Sequence, residues 1–536
     1  MGKKARRSLS LSKLPLVVAV LGVIFLSMFF GARQKVRGAS HQGNSKKQAG
    51  LTLHVYEDGS SVWAEDTRGK MIARGKAGAD DASVMQRALD YIGNAGGGSI
   101  YIHRGEYILK SFKVLEEDNL GNAFCSAIPL PDNTALIGDC AVLKVGDDIP
   151  AIPGKRTNLR IITNADLVNG NHNIRIEGLI LDGNVGNQSH VNEVEGISLG
   201  EHTAKGYVSH ALIKDVEIRN CTDGIDFDYV KQSVIDGVIA HDNAMNGIHP
   251  SFSSKEITIV NCQVYNCGTI GIYIFDTAHD ITVANNRIKN CGQSGITAHG
   301  SGLLIIGNVL RDNNTYGIHV RGSDNLISNN VIVAPDKNAY AIYVDNADRL
   351  AVIGNVIRMT GTKAYGIYGV KSNSVIVGNR VVSKHAPLVV PSGQSNIFVM
   401  SNYFESLGGA RIDLGDSEVV FMNNKIVNSG LRKISNAEIK FNKGYATENS
   451  GTATVTGDGT TRTFTINIAH GLVKDSVAAH ITLDRDGTVD KVYLVDTDAD
   501  GFKETLRLQV TYTTAPADGE SVPIYWHAEV VSASRP

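Results

Sequence analysis

The strongest constraint in this sequence is a short phrase that returns at a nearly constant interval through the middle of the chain. Its copies are Gly224-Ile225, Gly247-Ile248, Gly271-Ile272, Gly295-Ile296, Gly317-Ile318, Ala341-Ile342 and Gly366-Ile367. The intervals between copies are 23, 24, 24, 22, 24 and 25 residues. A period in the twenties is typical of a solenoid, in which each repeat buries its apolar face only against its neighbours. The sequence therefore predicts an all-β solenoid of about a dozen coils.

A second periodic feature runs in phase with the first. Asparagine recurs at intervals of 22, 22, 25, 24, 23 and 22 residues, at Asn286, Asn308, Asn330, Asn355, Asn379, Asn402 and Asn424. Asparagine side chains stacked at a turn can hydrogen-bond to one another from coil to coil. We expect these residues to form a structural ladder.

The composition agrees with stacked coils and argues against one class of partner. The 536 residues include 56 Gly, 12 Pro and 6% aromatic residues, so tight turns are abundant and large core side chains are few. The 52 Lys and Arg residues nearly balance the 54 Asp and Glu residues, which leaves no overall basic field. We therefore expect no nucleic-acid partner.

The amino terminus carries a membrane signal. Basic residues precede an uncharged segment from Leu14 to Ala32, whose length approaches the roughly 20 residues that span a bilayer. The excess of positive charge before the segment favours a cytoplasmic amino terminus. The sequence predicts either an uncleaved single-pass anchor in the cell membrane or a cleaved export signal, with the bulk of the protein outside the cell in both cases.

The chain divides by composition into five parts. We assign residues 1–33 to a basic stub with the anchor or signal, 34–50 to a linker, 51–110 to a hairpin and helix cap, 111–446 to the solenoid and 447–536 to a carboxyl-terminal antiparallel β-domain. In the cap, Asp80 and Asp81 begin a predicted helix that ends at the Gly-rich run 93–98. The helix, Gly-rich turn and following strand pair resemble the entry cap of the pectate-lyase-like superfamily. That resemblance implies a right-handed parallel β-helix.

The carboxyl-terminal part has short alternating runs separated by Gly, Asp and Pro, which predict a small antiparallel β-sandwich. Within it, Asp496, Asp498 and Asp500 match the first half of an EF-hand-type calcium loop, while Arg507 replaces the usual final acidic residue. A calcium loop and a plain acidic turn both remain open. Ca²⁺ is the candidate cofactor.

Strand alternation locates a groove. If Ile225 points into the solenoid, then Asp226 points out, and the same parity applies to every copy. Two outward columns follow: Asp226, His249, Tyr273, Thr297, His319, Tyr343 and Tyr368, and beside them Asp228, Ser251, Phe275, His299, Arg321 and Asp345. Adjacent coils lie about 4.8 Å apart, which is close to the length of one hexose unit. The groove is therefore predicted to bind a polysaccharide.

Two narrower resemblances fall on the first of these coils. Gly224 and Asp226 match the Gly and Asp of the Gly-Phe-Asp-Pro-His signature of mannuronan C5-epimerases and related uronan-modifying β-helices, with His249 on the next rung as the substitute for the signature histidine. The stretch from Cys221 to Asp226 also looks like the Asn-Thr-Asp-Gly-Ile-Asp stretch of polygalacturonases. The first resemblance implies proton abstraction beside a uronate carboxylate, and the second implies hydrolysis.

Three functions remain open from the sequence. In a lyase or epimerase acting on an acidic polysaccharide, Asp226 and Asp228 hold a cation or position the sugar, His249 is the base and Tyr273 is the acid. The further substrate-binding residues would be His299, His319, Arg321, Tyr343 and Asp345. An inverting glycoside hydrolase would instead use Asp226 and Asp228 as its carboxyl pair. The third alternative is a non-catalytic surface scaffold or glycan-binding protein.

Overall fold

The computed structural model describes residues 50–334, 337, 339–445, 447–472, 477–496, 503 and 505–530. The predicted membrane segment at 14–32 lies outside the described residues, and so do Asp498 and Asp500 of the predicted calcium loop. Within the described ranges, no helix is both long and apolar enough to span a bilayer.

The amino-terminal part combines a small antiparallel meander with the first parallel strands. Its strands are β1 (Leu51–Glu57), β2 (Ser61–Asp66), β3 (Met71–Lys76), β4 (Gly98–Ile102), β5 (Glu106–Leu109), β6 (Lys113–Glu117), β7 (Asn122–Leu130), β8 (Thr134–Val145), β9 (Arg156–Asn164) and β10 (Arg175–Asp182). Strand β1 pairs antiparallel with β2 and parallel with β4, and β4 pairs parallel with β8. The meander is thereby joined to the solenoid through continuous strand pairing.

One helix, α1 (Asp81–Asn94), lies between β3 and β4. Its apolar side chains Val84, Ala88, Leu89 and Ile92 are buried, as the sequence pattern predicts, and the helix packs against β3 and β7. The carboxylate of Asp81 is also fully buried and accepts hydrogen bonds from the backbone N–H groups of Gly78 and Ile108. Those bonds fix the start of the helix to strand β5.

The solenoid consists of short strands that recur three to a coil. They are β11 (Glu193–Leu199), β12 (Val208–Ser209), β13 (Leu212–Lys214), β14 (Glu217–Arg219), β15 (Ile225–Phe227), β16 (Val230–Asp236), β17 (Ile239–His241), β18 (Ile248–Pro250), β19 (Lys255–Val260), β20 (Gln263–Tyr265), β21 (Ile270–Ile274), β22 (Thr282–Ala284), β23 (Arg287–Lys289), β24 (Ser294–Ala298), β25 (Leu304–Ile306), β26 (Val309–Arg311), β27 (Tyr316–Val320), β28 (Leu326–Ser328), β29 (Val331–Ala334), β30 (Tyr340–Val344), β31 (Ala351–Ile353), β32 (Val356–Met359), β33 (Tyr365–Tyr368), β34 (Val375–Val377), β35 (Arg380–Ser383), β36 (Leu388–Val389), β37 (Ile397–Met400), β38 (Tyr403–Ser406), β39 (Ile412–Asp413), β40 (Val419–Met422), β41 (Lys425–Val427), β42 (Leu431–Arg432) and β43 (Glu438–Lys440). A 3-10 turn, Val185–Asn187, precedes β11.

Parallel pairing of equivalent strands gives the solenoid three faces. Face one runs from β16 through β19 and β22 to β43, and face two runs from β14 through β17 and β20 to β41. Face three is the sheet that contains β7, β9, β11, β15, β18, β21, β24, β27, β30, β33, β36, β39 and β42, with β6 at its edge. The predicted all-β parallel solenoid is confirmed.

The repeated isoleucines form one continuous row inside the solenoid. Register pairs each with the next, from Ile225 opposite Ile248 to Ile342 opposite Ile367. All seven are fully buried. Their β-branched side chains suit a pleated, close-packed surface, so this row forms the core side of face three.

The asparagine ladder occupies the turn between face one and face two. Each side-chain oxygen accepts from both the backbone and the side-chain amide of the preceding asparagine; for Asn330 and Asn355 the distances are 2.9 and 3.0 Å. Each side-chain amide also donates to a core-strand carbonyl, as Asn355 does to Ile327 at 3.0 Å. The ladder continues without a break to Asn442. The predicted structural role of these asparagines is confirmed.

The carboxyl-terminal segment forms two antiparallel three-stranded sheets. Its strands are β44 (Glu448–Thr456), β45 (Thr463–Ala469), β46 (Val477–Leu483), β47 (Gly487–Val495), β48 (Thr505–Tyr512) and β49 (Ser521–Val530). Strand β49 lies between β44 and β46, and β48 lies between β45 and β47. Side chains from both sheets, including Leu508, Val510, Ile524 and Trp526, share one apolar core.

Candidate active site

Asp226 and His249 occupy neighbouring rungs of face three. The parallel register of β15 and β18 sets Asp226 directly opposite His249. Ile225 and Phe227 on either side are fully buried, so Asp226 between them points outward. Its Oδ1 lies 3.1 Å from Nδ1 of His249. The adjacency that strand parity predicts is therefore present.

A second carboxylate, Asp223, reaches the same imidazole from the turn before β15. Its Oδ2 lies 3.8 Å from Nδ1 of His249. Its Oδ1 accepts a hydrogen bond from the backbone N–H of Asn246 at 2.7 Å, which anchors it to the next coil. Parity counted forward from each isoleucine misses Asp223, because it lies two residues before Ile225.

The two carboxylates determine the charge of His249. Burial alone would lower its pKa, but the hydrogen bonds and negative charges of Asp223 and Asp226 outweigh burial and raise the pKa to about 10. The ring is therefore an imidazolium at neutral pH. The geometry favours a cationic role for His249 over the role of base that the sequence suggested.

Tyr273 covers the imidazolium from the following rung. The two rings lie parallel, with centroids 4.7 Å apart and an interplanar angle of 4°. Phe275 contacts both rings edge-on. Burial raises the pKa of Tyr273, so its phenol keeps its proton at neutral pH and can serve as a proton donor.

Asp228 does not lie on the exposed face, contrary to the parity prediction. Its side chain is buried, because β15 ends at Phe227 and the chain turns at Tyr229, whose φ is 51°. Among the described residues, no group hydrogen-bonds to its Oδ1. Burial, followed by the charges of Asp226 and Glu201, raises the pKa of Asp228 well above its usual range. The environment of Asp228 therefore favours its protonated form more than that of an exposed aspartate.

A buried ion-pair cluster adjoins these acids and was not found from the sequence. The guanidinium of Arg160 lies 3.1 Å from Oε2 of Glu195 and 2.5 Å from Oε2 of Glu201. It also packs over the ring of Phe124 at 4.8 Å. Arg160, Glu195 and Asp223 each lie two residues before a core isoleucine, where strict strand alternation points a side chain inward, so the outward columns did not include them.

The predicted substrate-binding residues lie further along the same face. His299 and His319 meet edge to face, with centroids 4.8 Å apart, and His299 contacts the ring of Tyr273 in the same way. Burial, reinforced by His299, lowers the pKa of His319 to about 4, so its ring is neutral at neutral pH. Its Nδ1 lies 3.5 Å from Nε2 of His299, whereas its Nε2 has no hydrogen-bond partner among the described residues. Arg321 donates to Asp345 at 3.2 Å.

Beyond the histidines, face three becomes aromatic. Tyr343 and Tyr368 stack with centroids 5.7 Å apart. Tyr316, Tyr340 and Tyr365 form a second column beside them, which the sequence reasoning missed because these residues also precede their isoleucines by two positions. Flat rings with hydroxyl edges are suited to packing against sugar rings. Face three is thus acidic at one end and aromatic at the other.

Two groups of side chains bring ligand atoms close enough together for a cation. In Asp223, Asp226 and His249 these atoms lie within 4.8 Å of one another, and the same holds for Glu201, His202 and Asp228. Calcium prefers six to eight oxygen ligands. Each group offers three side-chain ligands, one of them an imidazole, so these side chains alone do not complete the oxygen shell that Ca²⁺ prefers.

Comparison with known proteins agrees with this architecture. The family model for a right-handed β-helix region matches residues 161–357 and 294–463, which together make up more than half of the chain. The chain belongs to this family of right-handed parallel β-helix proteins, within the pectate-lyase-like superfamily.

Similar proteins include alginate lyase 7 of Azotobacter vinelandii, which is 28% identical over 212 residues. That match covers 39% of this chain and only 23% of the length of the relative. Among solved structures, the tailspike protein of E. coli bacteriophage HK620 in complex with a pentasaccharide has a TM-score of 0.52 at 12% identity, covering 87% of this chain and 92% of that one. The A-module of the Azotobacter vinelandii mannuronan C-5 epimerase AlgE6 has a TM-score of 0.48 at 21% identity, covering 68% and 96% respectively.

Proposed function

We propose that this protein is a polysaccharide lyase or epimerase that acts on a uronate-containing polymer bound along face three. The observation that carries the proposal is that Asp226, His249 and Tyr273 lie on three consecutive rungs. The carboxylate of Asp226 contacts the imidazolium of His249, which in turn stacks on the phenol of Tyr273. Both reactions begin by removing the proton beside a uronate carboxylate. They require a base, a positive charge near that carboxylate and an acid.

Each requirement has a residue in this proposal. The carboxylate of Asp226 takes the C5 proton, and the electron pair moves into the substrate carboxylate. The imidazolium of His249 stabilises the resulting negative charge. In a lyase, the electron pair then forms the C4–C5 double bond as the C4–O bond breaks, and Tyr273 donates its phenolic proton to the departing glycosidic oxygen. In an epimerase, the electron pair returns to C5, and Tyr273 donates its proton to the opposite side of that carbon.

The rest of face three supplies binding. The tyrosines around Tyr343 offer flat surfaces for sugar rings, and the neutral pair His299 and His319 offers hydrogen bonds to hydroxyl groups. Arg321, already held by Asp345, is placed for the carboxylate of a more distant sugar. The similarity to a protein named alginate lyase 7 supports a uronate polymer as the substrate class.

The test is incubation with polymannuronate, alginate and polygalacturonate in deuterated buffer. A lyase produces unsaturated uronates that absorb in the ultraviolet, and an epimerase incorporates deuterium at C5 without chain cleavage. Tyr273→Phe is the inactive variant. Tyr91→Phe on helix α1 is the matched control, because it removes a phenolic hydroxyl at an exposed position far along the chain from these residues. Absence of both products on all three polymers contradicts the proposal.

A second candidate, an inverting glycoside hydrolase, is favoured by one observation. Burial raises the pKa of Asp228, while the adjacent Asp226 pairs with the imidazolium of His249. An inverting hydrolase requires two such carboxyl groups, one as acid and one as base. In the same incubation, new reducing ends without ultraviolet absorbance and without deuterium at C5 identify hydrolysis.

We also propose that the protein is exported and that its amino-terminal segment, residues 14–32, anchors it or directs its export. A polymeric uronate outside the cell would then be accessible to face three. Protease treatment of intact cells that express the full chain tests this proposal. Degradation without cell lysis is expected, and complete protection contradicts it.

A further inference from the structure

Face two carries a compact group of cations outside the candidate active site. Strand β23 presents Arg287 and Lys289 on its outer side, and the register of β23 with β26 places Arg311 directly opposite Lys289. All three side chains are exposed. Neighbouring strands lie about 4.8 Å apart and alternate residues of one strand about 7 Å apart, so three positive charges occupy a very small area.

This grouping is unfavourable unless something else neutralises it. Like charges directly opposite each other on adjacent strands destabilise a sheet. Over the ranges that the structure describes, no carboxylate forms an ion pair with Arg287, Lys289 or Arg311. Other exposed arginines on the solenoid do have such partners, for example Arg349 with Asp324 and Arg219 with Asp182. The three cations therefore form an unneutralised site on a chain whose net charge is only −2.

The neighbouring rungs hold these cations in place. Tyr265 lies directly opposite Lys289, and the ammonium group of Lys289 sits 5.2 Å from the centre of its ring. The other side of that ring stacks on His241, with centroids 4.8 Å apart. The side chain of Lys289 thus contacts the end of a stacked column while it stays exposed. A contact of this kind reduces the entropy that is lost when an anion binds.

The same residues surround a shallow depression. Its lining includes Gln263, Tyr265, Arg287, Lys289 and Arg311, with Val309 at its base. The volume is about 170 Å³. Cations, an amide and a phenolic hydroxyl around a concave surface can serve the anionic group and the hydroxyls of one sugar unit.

A second basic group continues the row toward the carboxyl end of the solenoid. Arg358 and Arg380 are exposed on the next strands of face two, and Arg380 packs over Tyr403 at 4.3 Å. Lys425 approaches the same ring at 5.2 Å. A band of valines from β26 and β29 separates the two groups. The cations therefore follow the solenoid axis, which suits a linear ligand with repeated negative charges.

We propose that face two is a second carbohydrate-binding site, which takes a linear acidic polysaccharide by holding its carboxylate or sulfate groups between Arg287, Lys289 and Arg311. The site goes beyond the reaction proposed for face three and does not depend on it. An acidic polymer held on face two is kept near the groove of face three, which is acidic at one end. Face two thereby retains the polymer, and face three carries out the reaction.

The experiment measures binding of polymannuronate, dextran sulfate and neutral dextran by isothermal titration calorimetry at low and high salt. The Tyr273→Phe variant is used throughout so that the polymers stay intact and turnover does not enter the measurement. Polymannuronate and dextran sulfate represent carboxylate and sulfate, and whichever binds identifies the anionic group. Binding is expected to weaken with salt, and neutral dextran is expected to bind far more weakly.

The triple substitution Arg287→Gln, Lys289→Gln and Arg311→Gln is expected to weaken polyanion binding about tenfold or more, because it removes the charge-assisted hydrogen bonds to the anionic groups of the polymer. The matched control is Lys70→Gln, Lys76→Gln and Lys113→Gln, which removes the same charge from exposed positions near the amino terminus. The control is expected to retain the affinity. Thermal unfolding of both variants checks that each is folded, and Lys289→Gln alone provides a milder test.

Three outcomes overturn the proposal. The first is equal loss of affinity in both triple variants, which indicates a net-charge effect. The second is no salt-sensitive binding of either polyanion. The third is binding of anionic phospholipid vesicles, but not of the polysaccharides, that the face-two substitutions abolish, which makes face two a membrane-binding surface.

Discussion

The same two neighbouring coils contain two stacks of a histidine on a tyrosine. One stack lies on face two and the other on face three. His241 and Tyr265 stack with centroids 4.8 Å apart at 6°, and His249 and Tyr273 stack with centroids 4.7 Å apart at 4°. In both cases the tyrosine lies 24 residues after the histidine. The parallel register makes the stacks, so the stacking itself carries no information about function.

The partners of the two imidazoles differ. On face two, Nδ1 of His241 lies 2.6 Å from Asp242 and Nε2 lies 3.4 Å from Glu217, so both nitrogens face carboxylates. On face three, two carboxylates converge on Nδ1 of His249, and Nε2 has no hydrogen-bond partner in the part of the chain that the structure describes. The comparison teaches that an incompletely paired cation, rather than an aromatic stack, marks the candidate centre.

The largest expected effect comes from Tyr273→Phe. Loss of the proton donor should lower the turnover of the susceptible uronate polymer by about 10²–10⁴-fold, the usual contribution of one general acid or base. Steady-state kinetics with Tyr91→Phe as the control measure it. Wild-type turnover in Tyr273→Phe would mean that the stack on face three is as structural as the stack on face two.

The next effect concerns stability and separates the two histidines. Because the pKa of His249 in the folded protein is about 10, above its ordinary 6.5, its contribution to stability is complete below about 6.5 and disappears as pH rises through about 10. The wild-type protein should lose on the order of a few kcal/mol across that window. Thermal unfolding at a series of pH values measures the loss. The decrease in stability with pH should be smaller in His249→Gln and unchanged in His241→Gln. A stability that falls equally steeply with pH in His249→Gln would contradict the raised pKa of His249.

A smaller effect is expected from Asp228→Asn, which removes a buried carboxyl group whose pKa is raised. In a lyase or epimerase Asp228 exchanges no proton with the substrate, so turnover should change less than about tenfold. In a hydrolase the same change removes the acid and should cost about 10²-fold or more. Because the raised pKa of Asp228 penalises its ionised form in the folded state, Asp228→Asn should also be at least as stable as wild type at neutral and alkaline pH. A clear loss of thermal stability there would contradict the raised pKa of Asp228.

The smallest effect is expected from His241→Gln. Its side chain is mostly covered but has carboxylate partners at the surface, and partly exposed ion pairs contribute about 1 kcal/mol or less. Chemical denaturation at neutral pH measures the change. A loss comparable to that of His249→Gln would remove the distinction between the two stacks.

Much of this comparison follows from the sequence, because the isoleucine period fixes the register of face three. That register correctly places Asp226 beside His249 and His249 one rung before Tyr273. Alternation holds only inside a strand, however. Asp228 lies beyond the end of β15, where the chain turns inward, so the rule that places Asp226 fails two residues later.

The charge state of the centre also could not be read from the pattern. The sequence gives no reason to bring Asp223 to His249, since the contact depends on the turn before β15 and on a hydrogen bond to the next coil. Arg160 and Glu195 enter from two earlier coils, and their burial together depends on three-dimensional packing. The protonated state of His249 follows from Asp223 and Asp226 rather than from its own place in the repeat.

The asparagine ladder has a consequence for how such a protein can change over generations. Successive rungs are separated by 22 to 25 residues, and the last step, from Asn424 to Asn442, by only 18, yet the hydrogen bonds between neighbouring amides keep the same lengths within about 0.1 Å. The ladder therefore places the asparagine turn of every coil at the same angle around the solenoid axis, whatever the length of the loops in that coil. Insertions and deletions in the loops can accumulate without displacing the columns on face two or face three, so new ligands can be acquired while the frame stays unchanged.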